Sequence, residues 1–227
     1  MLLSAYKAVP VRDSAIHVRD AARRAIELDP TTAEPHTSLG LVAENFDWDW
    51  PEAEHAFKRA IGLDPKNAPA HHRYGEFLVL TGHVETGLAE PGKAEHLEPL
   101  SSLIQSDYAK CLYLARRYDE AITKAQKALS AAPNSVPPHQ WLAAAYLQKG
   151  MHAEFMQEAT RASVPATPFS LALRAVASGD KDKALGLLED AVTRHDTAVI
   201  AVRMDPALDP LRADPRFTML LGRLHLR

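Results

Sequence analysis

The chain has 227 residues, a formal net charge of −3 and an aromatic content of 7%. This charge balance argues against a nucleic-acid partner, because nucleic-acid binding needs a basic face. The single cysteine, Cys111, excludes an internal disulfide and predicts a reducing, cytoplasmic environment, and no apolar run reaches the roughly 18 residues that a membrane span needs.

The first predicted element is an amphipathic helix from Asp13 to Leu28. Its apolar residues recur at helical spacing: Ala15, Val18, Ala22, Ala25 and Ile26. Residues 2–9 are long enough for only two helical turns before Pro10. We therefore expect residues 1–32 to form an incomplete N-terminal unit, whose apolar end needs a cap or further chain.

The next predicted elements repeat along the chain. Four segments end alike, and their prolines are 35, 34 and 34 residues apart: residues 25–30 (AIELDP), 60–65 (AIGLDP), 94–99 (AEHLEP) and 128–133 (ALSAAP). Each unit also carries a large residue followed by a small one: Leu39-Gly40, Tyr74-Gly75, Tyr108-Ala109 and Leu142-Ala143. Such pairs let antiparallel helices approach closely, so each unit is predicted as helix A, a turn, helix B and a proline stop.

One helix in this series is unusual. Gly87, Pro91 and Gly92 fall inside helix B of the third unit, where the sibling units carry alanine or larger residues. Inside a helix, proline costs roughly 3 kcal/mol and glycine roughly 1 kcal/mol relative to alanine. Two interpretations stay open: neighbouring repeats offset a tolerated kink, or the helix is a hinge between the two halves of the array.

These features resemble the tetratricopeptide repeat (TPR) family over about residues 13–195. The signature of that family is carried at Leu39-Gly40, Ala53, Phe57, Ala60 and Pro65, and it recurs at Tyr74-Gly75, Gly87, Ala94 and Pro99 and at Tyr108-Ala109, Ala121, Ala128 and Pro133. The fifth unit departs from it, with Phe155 where alanine is usual and Ala159 where a bulky residue is usual. The sixth unit, Phe169 to His195, lacks the proline stop.

The resemblance implies an all-α, right-handed α-solenoid of five to six TPR-like helix-turn-helix repeats with a C-terminal capping helix. We assign the repeats to residues 33–195 and the capping segment to residues 196–227, with a last helix over residues 216–226 as a lid. Two further stretches, Asn45–Glu54 with its one extra residue and the Asp-Pro-rich Met204–Phe217, look like the C-terminal TPR region of bacterial winged-helix regulators, protein kinases and nucleotide cyclases.

Catalytic and metal-binding patterns are missing from the sequence. No nucleophile elbow, phosphate-binding glycine loop or kinase or cyclase signature occurs, so we expect neither enzyme activity nor a cofactor. His36, His71 and His139 share one repeat position, but successive repeats should hold them too far apart for one metal ion, and no metal site is expected. Trp48 and Trp50 resemble a ligand clamp in isolation; we expect them to be plugs over the repeat core.

The remaining candidate site is a groove. In TPR arrays the A helices line a concave side where peptides dock, with repeat positions two, five, nine, twelve and thirteen facing inward. These positions carry a half-apolar, half-polar set of side chains here, and we expect the binding energy to be concentrated at the centre. The predicted contact residues are His72, Glu76, Lys110, Tyr113 and Gln140, with Tyr113 as the strongest.

The predicted function is therefore a scaffold or regulatory module that binds a peptide or protein partner in its concave groove, in a bacterial signalling setting. Two alternatives stay open: a regulatory sensor segment of a transcriptional regulator whose DNA-binding domain is absent here, and a non-catalytic accessory segment of a kinase or cyclase. A third interpretation leaves the inner surface without any partner.

Overall fold

A computed structural model describes residues 11–162 and 166–226 of the chain, with side chains from residue 15 onward. All regular elements in these ranges are helical, which confirms the predicted all-α fold. The two turns expected over residues 2–9 lie outside the described residues.

The helices follow one another in pairs after a first helix, α1 (Val11–Leu28). The pairs are α2 (Glu34–Val42) with α3 (Trp50–Leu63), α4 (Ala68–Leu80) with α5 (Val84–Leu97), α6 (Ser102–Leu114) with α7 (Tyr118–Ala131), α8 (Val136–Gln148) with α9 (His152–Arg161), and α10 (Pro168–Ala177) with α11 (Lys181–Thr193). The A helices α2, α4, α6 and α8 pack side by side, so their shared face is a continuous inner surface.

Side-chain caps mark the starts of two A helices, α4 and α6. The Asn67 side chain accepts a hydrogen bond from the backbone N–H of Ala70 at 2.9 Å, and the Ser101 hydroxyl accepts one from the backbone N–H of Ile104 at 3.4 Å. Each cap satisfies a backbone donor that the first helical turn leaves unpaired. The starts of these two helices are therefore specified by the residues directly before them.

The extra residue of the longer repeat forms a π-helical turn. Residues 43–47 are a π-helix between α2 and α3, and Trp48 follows it with a left-handed φ of 53°. A single π turn accommodates one inserted residue without ending the helix. Glu44 lies in this turn and is buried.

The glycines of the unusual helix permit a close helix crossing. A β-carbon at Gly75 would lie 2.3 Å from Cδ of Pro91 and 2.8 Å from the carbonyl oxygen of Gly87. A β-carbon at Gly87 would lie 2.8 Å from the backbone nitrogen of Val79. Since α5 continues unbroken from Val84 to Leu97, Pro91 is accommodated inside it by packing on Gly75. The hinge interpretation stays a prediction.

The chain ends in a C-terminal segment, residues 196–226, which runs back along the inner side of the array. It contains two 3₁₀-helices, Thr197–Ala201 and Pro206–Leu211, and a last helix α12 (Pro215–Arg223). Its apolar residues share one core with the C-terminal ends of α4 and α6: Val199, Ile200, Val202, Leu208, Leu211, Phe217, Leu220, Leu224 and Leu226. The segment therefore contacts several repeats, whereas a terminal lid would contact only the last one.

Candidate functional site

The C-terminal segment fills one end of the inner groove through specific hydrogen bonds. The indole Nε1 of Trp50 donates to the carbonyl oxygen of Leu224 at 2.8 Å, and the hydroxyl of Tyr113 donates to Oδ1 of Asp205 at 2.9 Å. Arg203 donates to the carbonyl oxygen of Thr81 at 3.0 Å. These bonds fix the segment to α3, α4 and α6, at the level where the A helices end.

Both tryptophans of the first A–B connection contact the C-terminal region. Trp50 is buried in the core that this segment shares with the repeats, as a plug would be. Trp48 is half-buried and stacks on His195, with the ring centroids 4.7 Å apart. The two residues therefore join the second unit to the end of the array as well as covering the repeat core.

The middle of the inner surface carries an ion-pair network that we name the concave charge cluster: Arg73, Glu76, Asp107 and Lys110. Arg73 contacts Oε2 of Glu76 at 3.0 Å and Oδ2 of Asp107 at 3.4 Å, and Lys110 bonds to Oε1 of Glu76. Burial acts to raise the pKa of Glu76, but Lys110 and Arg73 outweigh it and hold that pKa at about 2.

One further carboxyl group lies close to this cluster without a base of its own. Glu44 is 2% exposed, and its Oε1 has no hydrogen-bond partner among the described residues. Burial, reinforced by the charge of Glu76, raises the pKa of Glu44 to about 8. The two glutamates have opposite shifts because the bases of the cluster bond to Glu76 and leave Glu44 unpaired.

The predicted contact residues occupy different environments. His72 is buried with its Nε2 2.9 Å from Oδ2 of Asp107, while Glu76 and Lys110 bond to each other inside the cluster. Gln140 is half-buried and donates to the carbonyl oxygen of Ala162 at 3.1 Å.

The predicted contact residue Tyr113 lies beneath the C-terminal segment. Its side chain is 3% exposed, because the C-terminal segment lies over it and Asp205 accepts its hydroxyl hydrogen bond. The sequence around Tyr113 is that of an ordinary A helix. It therefore gives no local indication of the hydrogen bond to Asp205, which is 92 residues further along the chain.

Sequence reasoning selected neither Arg73 nor Asp107 as site residues. They occupy the same repeat position on α4 and α6, 34 residues apart, and they carry opposite charges. Opposite charges at equivalent positions of successive repeats are a readable signal, because equivalent positions of neighbouring A helices lie side by side. The environment of Glu44 had no such signal, since it depends on the path of the C-terminal segment.

Three side chains at the cluster have donor atoms close enough for a metal ion. The ligand atoms of His72, Glu76 and Asp107 lie within 4.8 Å of one another. Lys110 and Arg73 already bond to these carboxylates, so a divalent ion would be placed against two fixed positive charges. The donor set therefore fits internal ion pairs better than a metal ion.

Cys111 is fully buried next to the cluster, and burial raises the pKa of its thiol well above the ordinary value. A thiol held in this protonated state is a poor nucleophile.

The described helices include none with the length and apolar character of a membrane-spanning segment.

In a comparison with known protein families, residues 92–136 match the family described as tetratricopeptide repeat. A curated relative, the protein O-mannosyl-transferase Tmtc2 of Drosophila melanogaster, is 41% identical over 58 residues, which are 26% of this chain and 6% of that protein. The chain thus matches only a small part of this relative's length.

Solved structures share the fold over most of the chain. PilF of Pseudomonas aeruginosa superposes with a TM-score of 0.59 at 18% identity, covering 85% of this chain and 89% of that one. PilW, a type IV pilus biogenesis factor, has a TM-score of 0.59 at 15% identity and covers 92% and 91%. YrrB, described as a TPR protein with an unusual peptide-binding site, has a TM-score of 0.51 at 16% identity and covers 82% and 97%. At these identities the likeness concerns the fold alone.

Proposed function

The chain is a tetratricopeptide repeat protein, and we propose that it is an interaction module that binds a polypeptide segment on the part of its inner surface that the C-terminal segment leaves uncovered. The observation that carries this proposal is the concave charge cluster, in which the side chains of Arg73, Asp107 and Lys110 are 28%, 16% and 18% exposed. Side chains of mixed polarity on adjoining A helices form a recessed surface that a peptide can enter.

The fold relationship supports the same function. TPR proteins generally act as non-catalytic scaffolds, and YrrB binds peptides according to its description. Fold alone does not determine function, so the proposal depends on the site. The contact residues that we propose are His72, Glu76, Lys110 and Gln140; we leave out Tyr113 because it contacts the C-terminal segment. The bacterial signalling setting and the cytoplasmic location stay predictions.

Site-specific photo-crosslinking tests which surface binds a partner. The photoreactive residue p-benzoylphenylalanine replaces Gln140 on the inner side of α8, or exposed Leu103 at the start of α6. The matched control carries it at exposed Gln126 on α7, a B helix. In extracts of the source cells we expect a specific adduct from the first two variants and none from the third.

The recovered partner is then titrated against wild type and Gln140→Ala by calorimetry. Loss of a contact at an interface centre costs about 1–2 kcal/mol, so we expect five- to thirtyfold weaker binding. Adducts from Gln126 alone, together with unchanged affinity of Gln140→Ala, would place the interface on the B-helix side and reject the inner surface.

A further inference from the structure

One carboxyl group of the inner surface has no base bonded to it. Among the groups gathered around the concave charge cluster, Glu44, Glu76 and Asp107 are acidic, Arg73 and Lys110 are basic, and the imidazole of His72 lies 2.9 Å from Asp107. Both bases already bond to Glu76 or Asp107. Glu44 receives only a 3.4 Å contact at Oε2, from the amide of its neighbour Asn45. Glu44 is therefore the acid of this group that has no basic partner among the described residues.

The charged groups that act most strongly on Glu44 lie on two A helices. Glu76 and Arg73 lie on α4 and Lys110 on α6, and all three act electrostatically on Glu44. The 3₁₀-helix over residues 197–201, which packs against the π turn that carries Glu44, contains no charged residue. No described residue of the chain hydrogen-bonds to Oε1 of Glu44.

Two buried hydroxyls give an independent indication that the inner surface takes a polar ligand. Thr37 on α2 and Ser106 on α6 occupy repeat position five, which faces the inner side, and more than nine-tenths of each residue is buried. Neither hydroxyl oxygen has a hydrogen-bond partner among the described residues. Buried polar atoms are nearly always hydrogen-bonded in folded proteins. A ligand group that forms hydrogen bonds with these hydroxyls would therefore gain binding free energy.

We propose that the partner segment, in the binding mode of the proposed function, is extended and basic: one lysine or arginine side chain pairs with Glu44, and the segment's backbone bonds to the hydroxyls of Thr37 and Ser106. A backbone carbonyl accepts from a hydroxyl and a backbone N–H donates to one, so an extended chain can satisfy both residues. A cation beside Glu44 supplies the basic partner that this carboxyl lacks.

Binding is coupled to release of one proton. In the free protein at neutral pH the Glu44 carboxyl holds its proton, because its pKa is raised to about 8. An incoming ammonium or guanidinium group favours the carboxylate, so the carboxyl proton passes to solvent while the new ion pair forms. Affinity should therefore rise with pH in the interval below about 8.

The test uses two synthetic peptides and the full chain. One is an acetylated, amidated alanine–serine nonapeptide with a single central lysine, and the other carries norleucine in place of that lysine. Dissociation constants come from NMR titrations, which also show which residues respond. At pH 7 we expect the lysine peptide to bind at least fivefold more tightly than the norleucine peptide. Between pH 6.5 and 7.5 this preference should increase three- to tenfold.

Variants separate the two kinds of contact. Glu44→Gln keeps the size and polarity of the side chain, and it should abolish both the lysine preference and its pH dependence. Glu98→Gln, at an exposed position after α5, is the matched control and should change neither. Ser106→Ala and Thr37→Val should weaken both peptides by the same factor, because their hydroxyls contact backbone.

The outcomes distinguish this inference from the proposed function. Equal binding of both peptides at the inner surface would overturn the basic partner and leave the interaction module intact. If neither peptide shifts an inner-surface resonance, the inference is overturned, and the proposed function is decided by the crosslinking from positions 103, 126 and 140. Two further results would overturn the inference, because each would indicate a different occupant of the site. One is a change of the Glu44 carboxyl resonance, without peptide, in a chain that lacks residues 1–10. The other is a response of that resonance to 1 mM ZnCl₂ but not to the lysine peptide.

Discussion

At the scale of single residues, two glutamates of the same inner surface have opposite properties. Lys110 and Arg73 bond to Glu76 and hold its pKa at about 2 against the effect of burial, whereas burial without a base raises the pKa of Glu44 to about 8. The chemistry of the side chain is the same in both, so the difference arises from which positive charges lie within reach.

The raised pKa of Glu44 predicts a loss of stability as pH increases. Between about pH 4.5, the ordinary glutamate value, and about pH 8 the folded chain holds a proton at Glu44 that the unfolded chain has lost. The free energy of unfolding therefore falls across this interval, by about 1.4 kcal/mol for each unit of pKa shift. Glu44→Gln removes this dependence, so urea unfolding should show the variant gaining about 2–4 kcal/mol on wild type from pH 5 to pH 8.

The control for this measurement is Glu98→Gln, which replaces an exposed carboxyl outside the concave charge cluster. If the Glu44→Gln difference changes with pH no more than the Glu98→Gln difference does, Glu44 is ionised in the folded protein at neutral pH.

Tyr113 predicts a stability effect without a binding effect. Its hydroxyl donates to Asp205, a fully buried acid whose pKa is raised by burial, and Asp205 would keep only its backbone bond from Ala207 after the change Tyr113→Phe. Loss of a hydrogen bond to a buried acceptor costs about 1–2 kcal/mol. We expect that decrease in urea unfolding, with partner affinity unchanged.

Tyr146→Phe is the comparison, because the Tyr146 hydroxyl accepts only a 3.4 Å bond from Gln126. If Tyr113→Phe weakens partner binding tenfold while stability stays at the wild-type value, Tyr113 belongs to the interface after all.

At the scale of elements, one contact between paired helices occurs in two of the pairs. His71 bonds to Glu90 between α4 and α5, and His139 bonds to Glu158 between α8 and α9, in both cases 19 residues apart. The paired helices also approach each other closely, most of all in the α4–α5 pair, where Gly75 lies against Pro91. Small residues at the crossing set the distance between the helix axes.

The α4–α5 crossing predicts opposite effects for two glycine substitutions. Gly75→Ala would place a β-carbon 2.3 Å from Cδ of Pro91 and 2.8 Å from the carbonyl oxygen of Gly87, and overpacking of this kind should cost about 3 kcal/mol. Gly186→Ala in α11 meets nothing within 4 Å and should stabilise by about 0.5–1 kcal/mol through helix propensity. Thermal unfolding of both variants measures the contrast; two variants of equal stability would mean that the helices separate without cost.

At the scale of the whole molecule, the C-terminal segment connects distant parts of the array. TPR-like arrays gain stability from contacts between neighbouring repeats. Here the hydrogen bond from Trp50 to Leu224 joins residues 174 positions apart, and Tyr113 and Asp205 are 92 positions apart. The core that these contacts enclose contains residues of both ends of the array. Unfolding of the two ends should therefore be coupled.

Two tryptophans test this coupling. Trp50→Phe removes the indole donor to Leu224, and we expect a loss of about 1–2 kcal/mol with faster hydrogen exchange of the amides over residues 215–226. Trp141→Phe is the matched change, because the Nε1 of Trp141 is buried without a hydrogen-bond partner among the described residues. That variant should be as stable as wild type. Unaltered exchange in residues 215–226 of Trp50→Phe would mean that the segment is held by apolar contacts alone.

The sequence by itself determined the helices and their pairing. The caps at Asn67 and Ser101, the proline stops and the large–small pairs act within a few residues or one repeat, so they can be read in order along the chain. The same periodicity placed the A helices side by side, and with them His72, Glu76 and Lys110 on one surface.

Only the tertiary structure decided what covers that surface. The Asp-Pro-rich stretch reads locally as capped turns, and Asp196, Asp205 and Asp214 do cap such turns. Its route across the inner side depends on contacts with residues about 90 to 170 positions away. The repeat period does not predict these contacts, because it relates only neighbouring repeats. This route buries Tyr113 against Asp205, and it leaves Glu44 buried without a base. The physical reason is that burial and pKa depend on which chain segment fills the space beside a residue, and a repeat pattern specifies only the neighbouring repeat.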